Sequence, residues 1–395
     1  MIPDSVPTIV LRSGRDRSVR NRHPWIFSGG VKEHPKAPPG AIVAVRATGG
    51  ELLGYGFYNP NSKIICRLFS FTAEERTFDR DFWVARVRNA FALRKRFLPA
   101  ETDCCRLIHA EGDHLPGLIA DVYDDVAVLQ VLSKGIEGVI DHVIAGIEEL
   151  GITRIYLKNK ETPERFESVA LKNGWLRGDG ETYRTVREYG LRIGVDIAGG
   201  QKTGFFIDQR ENRRLLGELA RDARVLNAFS YTGGFTLSAL AGGARSVDSV
   251  DVSDAAIAEA EKNVRANFPD ANHRGVVADC FDYMRENDDP YDIIVLDPPA
   301  FARTPGAIQR AARGYKELNL QAFRRLPPGG LLMTFSCSGV IDRDLFRKIV
   351  FGAAADAGRD VRILHQLSQP FDHPINIYHP EGEYLKGLVV EVGEG

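Results

Sequence analysis

Between about residue 225 and the C-terminus, short apolar runs alternate strictly with longer segments of helical character. Such alternation is typical of strands joined by helices, and it predicts an α/β fold with a doubly wound, mostly parallel sheet. Two further runs, 361–367 and 387–392, have no helix between them, so they predict an antiparallel edge on that sheet. The five strands predicted before them span 224–229, 249–252, 275–278, 292–296 and 331–335.

The N-terminal half of the chain has other patterns. Residues 1 to about 72 contain short strands separated by glycine and proline, which predicts a small β-rich domain, and a helical segment follows up to residue 98. Strands and one helix between about 105 and 197 predict an α+β domain. Because 395 residues exceed one ordinary core, we expect three domains, 1–72, 73–190 and 191–395.

Two groups of residues could suggest a metal site, but neither is interpreted here as one. Asp121, Asp124 and Asp125 stand close together, but a solvated hairpin turn explains them better than a metal site. The five cysteines are odd in number and lack metal-ligand spacing, which argues against a disulfide framework and against structural zinc. Reduced thiols in the cytosol fit this pattern. We therefore predict no metal.

Charge and hydropathy restrict the partners and the location. Lys plus Arg (51) nearly balance Asp plus Glu (53), so any basic surface able to attract nucleic acid must be local. The N-terminus lacks an apolar run ahead of a cleavage site, and no run of about 18 apolar residues occurs. We expect a cytoplasmic protein that does not span a membrane.

The first strand of the predicted sheet runs into a loop with two glycines, Gly233 and Gly234, which permit a tight turn close to a ligand. The loop matches neither the dinucleotide fingerprint nor the triphosphate loop. A plain turn between strand and helix remains the alternative.

Acidic residues end the next two strands. Asp251 lies 18 residues after Gly233 (251 − 233), where a carboxylate can accept from both hydroxyls of a ribose. Ser253 borders the same site, although it also suits a helix N-cap. Asp279 could accept from an adenine amino group or cap the helix that follows it.

The fourth strand ends in Asp297, followed by two prolines that leave carbonyl groups without ladder partners. The fifth ends before Cys337, so this thiol should reach the same sheet edge as Asp297. A thiol beside an acid suits one reaction in particular, the methylation of cytosine at carbon 5. That carbon is too electron-poor to take a methyl group directly, and a thiolate that adds to carbon 6 removes the obstacle. Asp297 would then hold the base and share a proton at the ring nitrogen.

Together these residues resemble the class I S-adenosylmethionine methyltransferases, and more narrowly the 23S ribosomal RNA large-subunit cytosine-5 methyltransferase family. The segment 199–210 resembles the family's stretch before the first strand, and 111–118 resembles its α+β linker domain. The resemblance implies a Rossmann-like methyltransferase domain with S-adenosylmethionine as cofactor. The implied cofactor-binding residues are Gln209, Arg210, Phe229, Tyr231, Thr232, Gly233, Asp251, Ser253, Asp279 and Asp297.

The segment 12–28 resembles the start of the family's PUA domain, an RNA-binding β-barrel. Five arginines and one acid within residues 12–22 form a local basic patch that could contact phosphates, although a solvated charged turn would also explain it. The RNA-binding candidates are Arg12, Arg15, Arg17, Arg20, Arg22 and Trp25. Ribosomal RNA as partner and a homodimer are expectations from the family.

Two other functions compete. An RNA methyltransferase acting on an exocyclic amine, such as that of guanine, also uses an acid followed by Pro-Pro, usually with an aromatic residue next; here Ala300 stands there and Phe301 comes one place late. A module that binds RNA without chemistry would need no cofactor. Similar RNA cytosine-5 enzymes carry a second cysteine at the place of Ala300, so the base that removes the carbon 5 proton is unassigned.

Overall fold

The computed structural model describes residues 6–74, 76–159, 167 and 169–394. Within them the chain forms two compact units. Unit 1 lies within 1–186, 195–207 and 371–382, and unit 2 within 187–194, 208–370 and 383–395. The three-domain boundaries at residues 72 and 190 stay predictions.

Unit 1 begins with a six-stranded sheet in the order β2-β6-β5-β4-β1-β3, and a four-residue helix α1 (Arg17–Arg20) follows β1. Its pairs are antiparallel except β1 with β4. Short strands were predicted in this region, but β2 and β3 have three residues each, too few to show an alternating pattern. The strands are β1 (Thr8–Leu11), β2 (Trp25–Phe27), β3 (Val31–Glu33), β4 (Ile42–Arg46), β5 (Leu52–Tyr58) and β6 (Ile64–Ser70).

A five-stranded sheet of order β11-β10-β9-β8-β7 follows in unit 1, with two helices. Only β9 and β10, which flank α3 in the sequence, pair in parallel. This is the predicted α+β pattern. The elements are α2 (Arg80–Phe97), β7 (Cys104–His109), β8 (Leu118–Tyr123), β9 (Val126–Val131), α3 (Lys134–Glu148), β10 (Arg154–Leu157) and β11 (Gly174–Arg177).

The interpretation of the aspartate cluster is wrong for Asp121. Its side chain is 1% exposed on β8, and both carboxylate oxygens accept from Arg106, at 2.5 and 3.1 Å. The hydroxyl of Thr203 also donates to it, at 2.6 Å. Asp124 and Asp125 are exposed between β8 and β9, as predicted. The local sequence does not distinguish a buried acid next to a turn from a solvated one. Asp121 can be buried because its cationic partner Arg106 lies elsewhere in the sequence.

A second buried ion pair binds the segment 371–382 to the rest of unit 1. The guanidinium of Arg94, 1% exposed, pairs with both oxygens of Asp113, at 2.6 and 2.7 Å. It also donates to the carbonyl oxygens of Arg106 and Asp372, at 2.7 and 2.8 Å. The Asp372 carboxylate accepts in turn from the Arg106 backbone N–H at 2.9 Å. These bonds satisfy charges that would be costly to bury alone.

A two-stranded sheet follows in the sequence, β12 (Tyr183–Glu188) with β13 (Leu191–Asp196). Unit 2 is then built on a seven-stranded sheet of order β16-β15-β14-β17-β18-β20-β19. Its elements are α4 (Arg210–Leu219), β14 (Arg224–Ala228), α5 (Gly234–Ala241), β15 (Ser246–Asp251), α6 (Asp254–Asn267), β16 (His273–Val277), α7 (Cys280–Glu286), β17 (Ile293–Leu296), α8 (Ile308–Arg325), β18 (Leu331–Ser336), α9 (Arg343–Ala357), β19 (Val361–Leu367) and β20 (Lys386–Val392).

The predicted doubly wound sheet with an antiparallel edge is confirmed. The strands from β16 to β18 in the sheet are parallel, β20 runs antiparallel to β18, and β19 pairs with β20. All four residues of β17 are buried, and they alternate between two cores: Ile294 packs in one cluster, while Ile293 and Val295 pack in the other. Helices on both faces bury the sheet, which explains the continuous apolar runs of its strands. No helix among the described residues is long and apolar enough to cross a membrane.

The buried pair on β8 generates a stability prediction. We expect Asp121→Asn to lower the free energy of unfolding by about 3 kcal/mol or more, because it leaves the Arg106 guanidinium buried without its counter-charge. Urea unfolding measures the effect. The matched control Asp124→Asn, at an exposed position of the same cluster, should change it by less than about 0.5 kcal/mol. Equal stability of the two variants would contradict the buried pairing.

Candidate active site

The strand register of unit 2 brings the predicted site residues to one sheet edge. Ala228 pairs with Val250 on one side and with Leu296 on the other. The next residues along these parallel strands are Phe229, Asp251 and Asp297, which therefore emerge level with one another at the carboxyl ends. This edge is where open α/β sheets bind their ligands.

The loop after β14 has an unusual backbone. Phe229, Tyr231 and Gly233 have φ angles of 60°, 48° and 82°, in the left-handed region. A Cβ atom at position 233 would also lie 3.0 Å from the Cβ of Ala260 on α6, so packing as well as conformation favours glycine there. Conformation and packing together explain this glycine, and its contact with a cofactor stays a prediction.

Asp251 connects that loop to α6. One carboxylate oxygen accepts from the Tyr231 N–H and the other from the Ser253 N–H, both at 2.9 Å. Each oxygen keeps a further lone pair for a ribose hydroxyl. Ser253 itself caps α6, because its hydroxyl accepts from the Ala256 N–H at 3.2 Å. Asp279 likewise caps α7 with a single carboxylate oxygen.

Two buried hydroxyl groups in the same loop provide a test of the cofactor's fit. Among the described residues, the side-chain oxygens of Ser230 and Thr232 have no hydrogen-bond partner. Native structures leave few buried polar atoms unsatisfied, and such atoms call for a ligand or water. S-adenosylmethionine carries amino, carboxylate, ribose and adenine groups, so these hydroxyls and the Asp251 carboxylate fit it.

Gln209 is bound directly to the catalytic candidate Asp297. Its side chain is 2% exposed, and its amide N–H donates to an Asp297 carboxylate oxygen at 3.0 Å. The amide oxygen accepts from the Asn212 side chain at 2.6 Å, which fixes the orientation of the amide. Arg210, 0% exposed, pairs with Glu211 at 3.3 Å. The resemblance had indicated Gln209, but its bond to Asp297 depends on distant pairing and could not be predicted.

Cys337 and Asp297 lie on adjacent strand ends. The half-buried thiol of Cys337 lies 3.9 Å from the carbonyl oxygen of Pro298, the residue that follows Asp297. The other four cysteines, all within the described residues, are buried. Burial raises the pKa of the Cys280 thiol to about 12, which makes it a poor nucleophile. The geometry therefore places the Cys337 thiol next to the backbone that follows Asp297, and the catalytic roles of the two residues stay predictions.

Lys386 is a site residue that the sequence did not indicate. It opens β20, pairs with Ser336 of β18 and is 2% exposed. Its ammonium donates to the carbonyl oxygens of Ser338 and Tyr384, at 2.8 and 2.7 Å. Burial lowers the pKa of Lys386 to about 8, while the nearby Cys337 thiol acts in the opposite direction. At neutral pH the site thus contains a buried cation close to its thiol.

The structure divides the RNA-binding candidates of unit 1. Arg20 is engaged by Asp16 and Glu51, at 2.7 and 2.5 Å. Trp25 is half-buried, and its indole N–H donates to Glu111 at 2.7 Å. All five arginines are exposed. The Nε of Arg12 donates to the Val31 carbonyl oxygen. Within the described ranges, no ion pair involves Arg12, Arg15, Arg17 or Arg22. Their contact with RNA stays a prediction.

The sheet and the residues at its edge define an S-adenosylmethionine-dependent methyltransferase. A family model of that description matches residues 161–376, more than half of the chain, and a model of the PUA-like domain matches residues 9–71. The chain is thus an enzyme of this methyltransferase family that uses S-adenosylmethionine and carries a PUA-like domain, which confirms the predicted fold class and cofactor.

The curated relatives define its family more narrowly. The chain is 43% identical over 391 residues to the ribosomal RNA large subunit methyltransferase I of Alteromonas mediterranea, covering 97% of this chain and 98% of that one. It is 40% identical over 399 residues to the protein of the same name from Vibrio cholerae, covering 98% and 99%. The chain belongs to the ribosomal RNA large subunit methyltransferase I family.

Solved structures confirm the fold over nearly the full length. SMU.776, described as a methyltransferase and solved with S-adenosylhomocysteine, superposes with a TM-score of 0.85, covering 98% of this chain and 100% of that one. An S-adenosylmethionine-dependent methyltransferase from Streptococcus mutans gives 0.83 with the same coverage. At 23% identity both show the fold alone.

The role of Asp251 can be tested by cofactor binding. We expect Asp251→Asn to weaken S-adenosylhomocysteine binding about tenfold or more, because a charged acceptor for the ribose hydroxyls is lost. Isothermal titration calorimetry measures the dissociation constant. Asp254→Asn, an exposed acid three residues away, is the control and should bind as the parent does. An unchanged constant in Asp251→Asn would exclude the ribose contact.

Lys386 generates a prediction about the thiol. An ammonium near a thiol favours the thiolate, so Lys386→Met should raise the pH midpoint for alkylation of Cys337 by iodoacetamide, by about one unit or more. Because the pKa of Lys386 is about 8, the difference should be largest below pH 8 and shrink above it. Lys348→Met removes a charge that is 68% exposed and should leave the midpoint unchanged. Identical profiles would mean that the charge does not act on Cys337.

Proposed function

We propose that the protein transfers a methyl group to carbon 5 of a cytosine in 23S ribosomal RNA through a covalent adduct with Cys337. The contact of the Cys337 thiol with the backbone next to Asp297 carries this proposal, because a nucleophile and an acid then meet at one strand edge. The names of the curated relatives support ribosomal RNA as the substrate. The PUA-like domain and its exposed arginines support an RNA partner.

The chain's residues would act in a fixed order. The Cys337 thiolate forms a bond to carbon 6, and the electron pair of the ring double bond moves to carbon 5. Asp297, oriented by Gln209, holds the proton at the ring nitrogen, so that charge in the adduct is limited. Bound S-adenosylmethionine supplies the electrophilic methyl group. A base then takes the carbon 5 proton, and the electrons of that C–H bond re-form the double bond between carbons 5 and 6. The bond from carbon 6 to sulfur breaks at the same time, and its electrons return to Cys337 as the thiolate.

Lys386 supports the same assignment. A buried ammonium close to a thiol stabilises the thiolate, the form that attacks carbon 6. This cation suits a reaction in which the thiol is the nucleophile.

The competing amine chemistry also lacks its stacking residue. Phe301 packs against Tyr315 and Phe281, with ring centroids 4.6 and 5.9 Å apart. Its ring is thus engaged in the core beside α8, and Ala300 offers no aromatic surface for a base. Cytosine chemistry is therefore the better assignment, and a cytoplasmic location and a homodimer remain predictions that accompany it.

Nucleoside analysis tests the reaction. With labelled S-adenosylmethionine and unmodified 23S ribosomal RNA transcript, we expect label in 5-methylcytidine. Cys337→Ala should reduce the rate at least about 1000-fold, because the nucleophile is lost, while cofactor affinity stays unchanged.

Cys105→Ala, which removes a buried thiol of unit 1, is the matched control and should keep the parent rate. Label in a methylated guanine, or full activity of Cys337→Ala, would overturn the covalent mechanism.

A further inference from the structure

Residues of unit 1 alone line a small pocket. It has a volume of about 220 Å³, several times the roughly 30 Å³ share of one water molecule. The end of β6, helix α2 and the loop after β7 contribute its walls. The lining residues are Arg22, Phe69, Ser70, Phe71, Thr72, Arg86 and His114.

The ionisable residues of the pocket are all basic. Arg22 is exposed, whereas Arg86 and His114 are half-buried. Burial lowers the pKa of Arg86, and the neighbouring Arg76 lowers it further. Burial also lowers the pKa of His114, as does repulsion from Arg86; Asp113 acts in the opposite direction, and Arg22 lowers the pKa more weakly. The basic groups therefore lie close enough for their charges to interact, and His114 is neutral at neutral pH.

Within the described ranges, no ion pair involves Arg22, Arg76 or Arg86, whereas Arg80 and Arg88 on the same helix both pair with Glu149. Asp113, next to His114, is engaged by Arg94. A partly buried cluster of like charge is costly unless an anion completes it.

Two basic residues of the pocket have an unusual backbone conformation, and one hydroxyl group suits an anion. Arg22 and His114 have φ angles of 61° and 57°, which non-glycine residues adopt rarely. The Arg22 turn is held by a hydrogen bond from its N–H to the Val19 carbonyl oxygen at 2.8 Å. The Thr72 hydroxyl accepts from the Glu74 N–H at 3.1 Å and so keeps its own proton to donate.

We infer that this pocket binds a backbone phosphate of the RNA, with Arg22 and Arg86 as its charged donors. Arginine is suited to this task because its planar group binds two phosphate oxygens at once. The inference rests on the proposed function in taking RNA as the ligand. It assigns to Arg22 a phosphate contact that Arg20, paired with two acids, is not placed to make.

Salt-dependent RNA binding tests the inference. For Arg22→Ala, we expect the dissociation constant of the 23S ribosomal RNA transcript to rise about fivefold to tenfold. The slope of the logarithm of the binding constant against that of salt concentration should fall by about 0.7 to 0.9, as one phosphate contact is lost. Cofactor affinity, measured without RNA, should match the parent. Arg22→Glu should weaken binding more.

Arg88→Ala is the matched control, because it removes an exposed, ion-paired charge from α2. Parent-like affinity and salt slope in Arg22→Ala, or an equal loss in Arg88→Ala, would overturn the inference. So would binding of inorganic phosphate that depends on Arg22 while RNA affinity does not. Binding is measured without turnover, so a methylated base other than cytosine would refute the proposed function and leave this result intact.

Discussion

Parallel pairing between β14, β15 and β17 fixes where the acidic side chains of the site emerge. The pairs Ala228 with Val250 and Ala228 with Leu296 place Asp251 and Asp297 on either side of Phe229. A slip of one residue would turn every side chain of a strand to the opposite face. The two apolar clusters oppose such a slip, since each strand contributes alternate residues to both of them. The core thus maintains the geometry of the chemistry at its edge.

Polar groups at that edge are held by other polar groups rather than by packing. Asp251 is fixed by two backbone N–H groups, and Asp297 by the Gln209 amide. Such bonds preorganise a site, because orientation need not be paid for during the reaction. The hydroxyl groups of Ser230 and Thr232 differ from these carboxylates, because they are buried without a hydrogen-bond partner.

The sequence predicted what depends on local periodicity and missed what depends on distant pairing. The alternation in unit 2 predicted every strand of its sheet. It also predicted that Cys337 and Asp297 follow adjacent strand ends, because strand ends follow from topology. Asp121 was misread since Arg106 and Thr203, which bury its charge, are not its sequence neighbours. Lys386 escaped notice because its place beside β18 requires knowing that β20 inserts between β18 and β19.

The central claim is a bond between Cys337 and carbon 6 of a cytosine. RNA carrying 5-fluorocytidine at the modified position tests it most directly, since fluorine at carbon 5 cannot leave as the proton does and the adduct persists. With S-adenosylmethionine present, the account predicts a protein–RNA complex that survives denaturation, with mass spectrometry locating the nucleotide on Cys337. A complex attached to another residue, or none under conditions in which unmodified RNA is methylated, would contradict it.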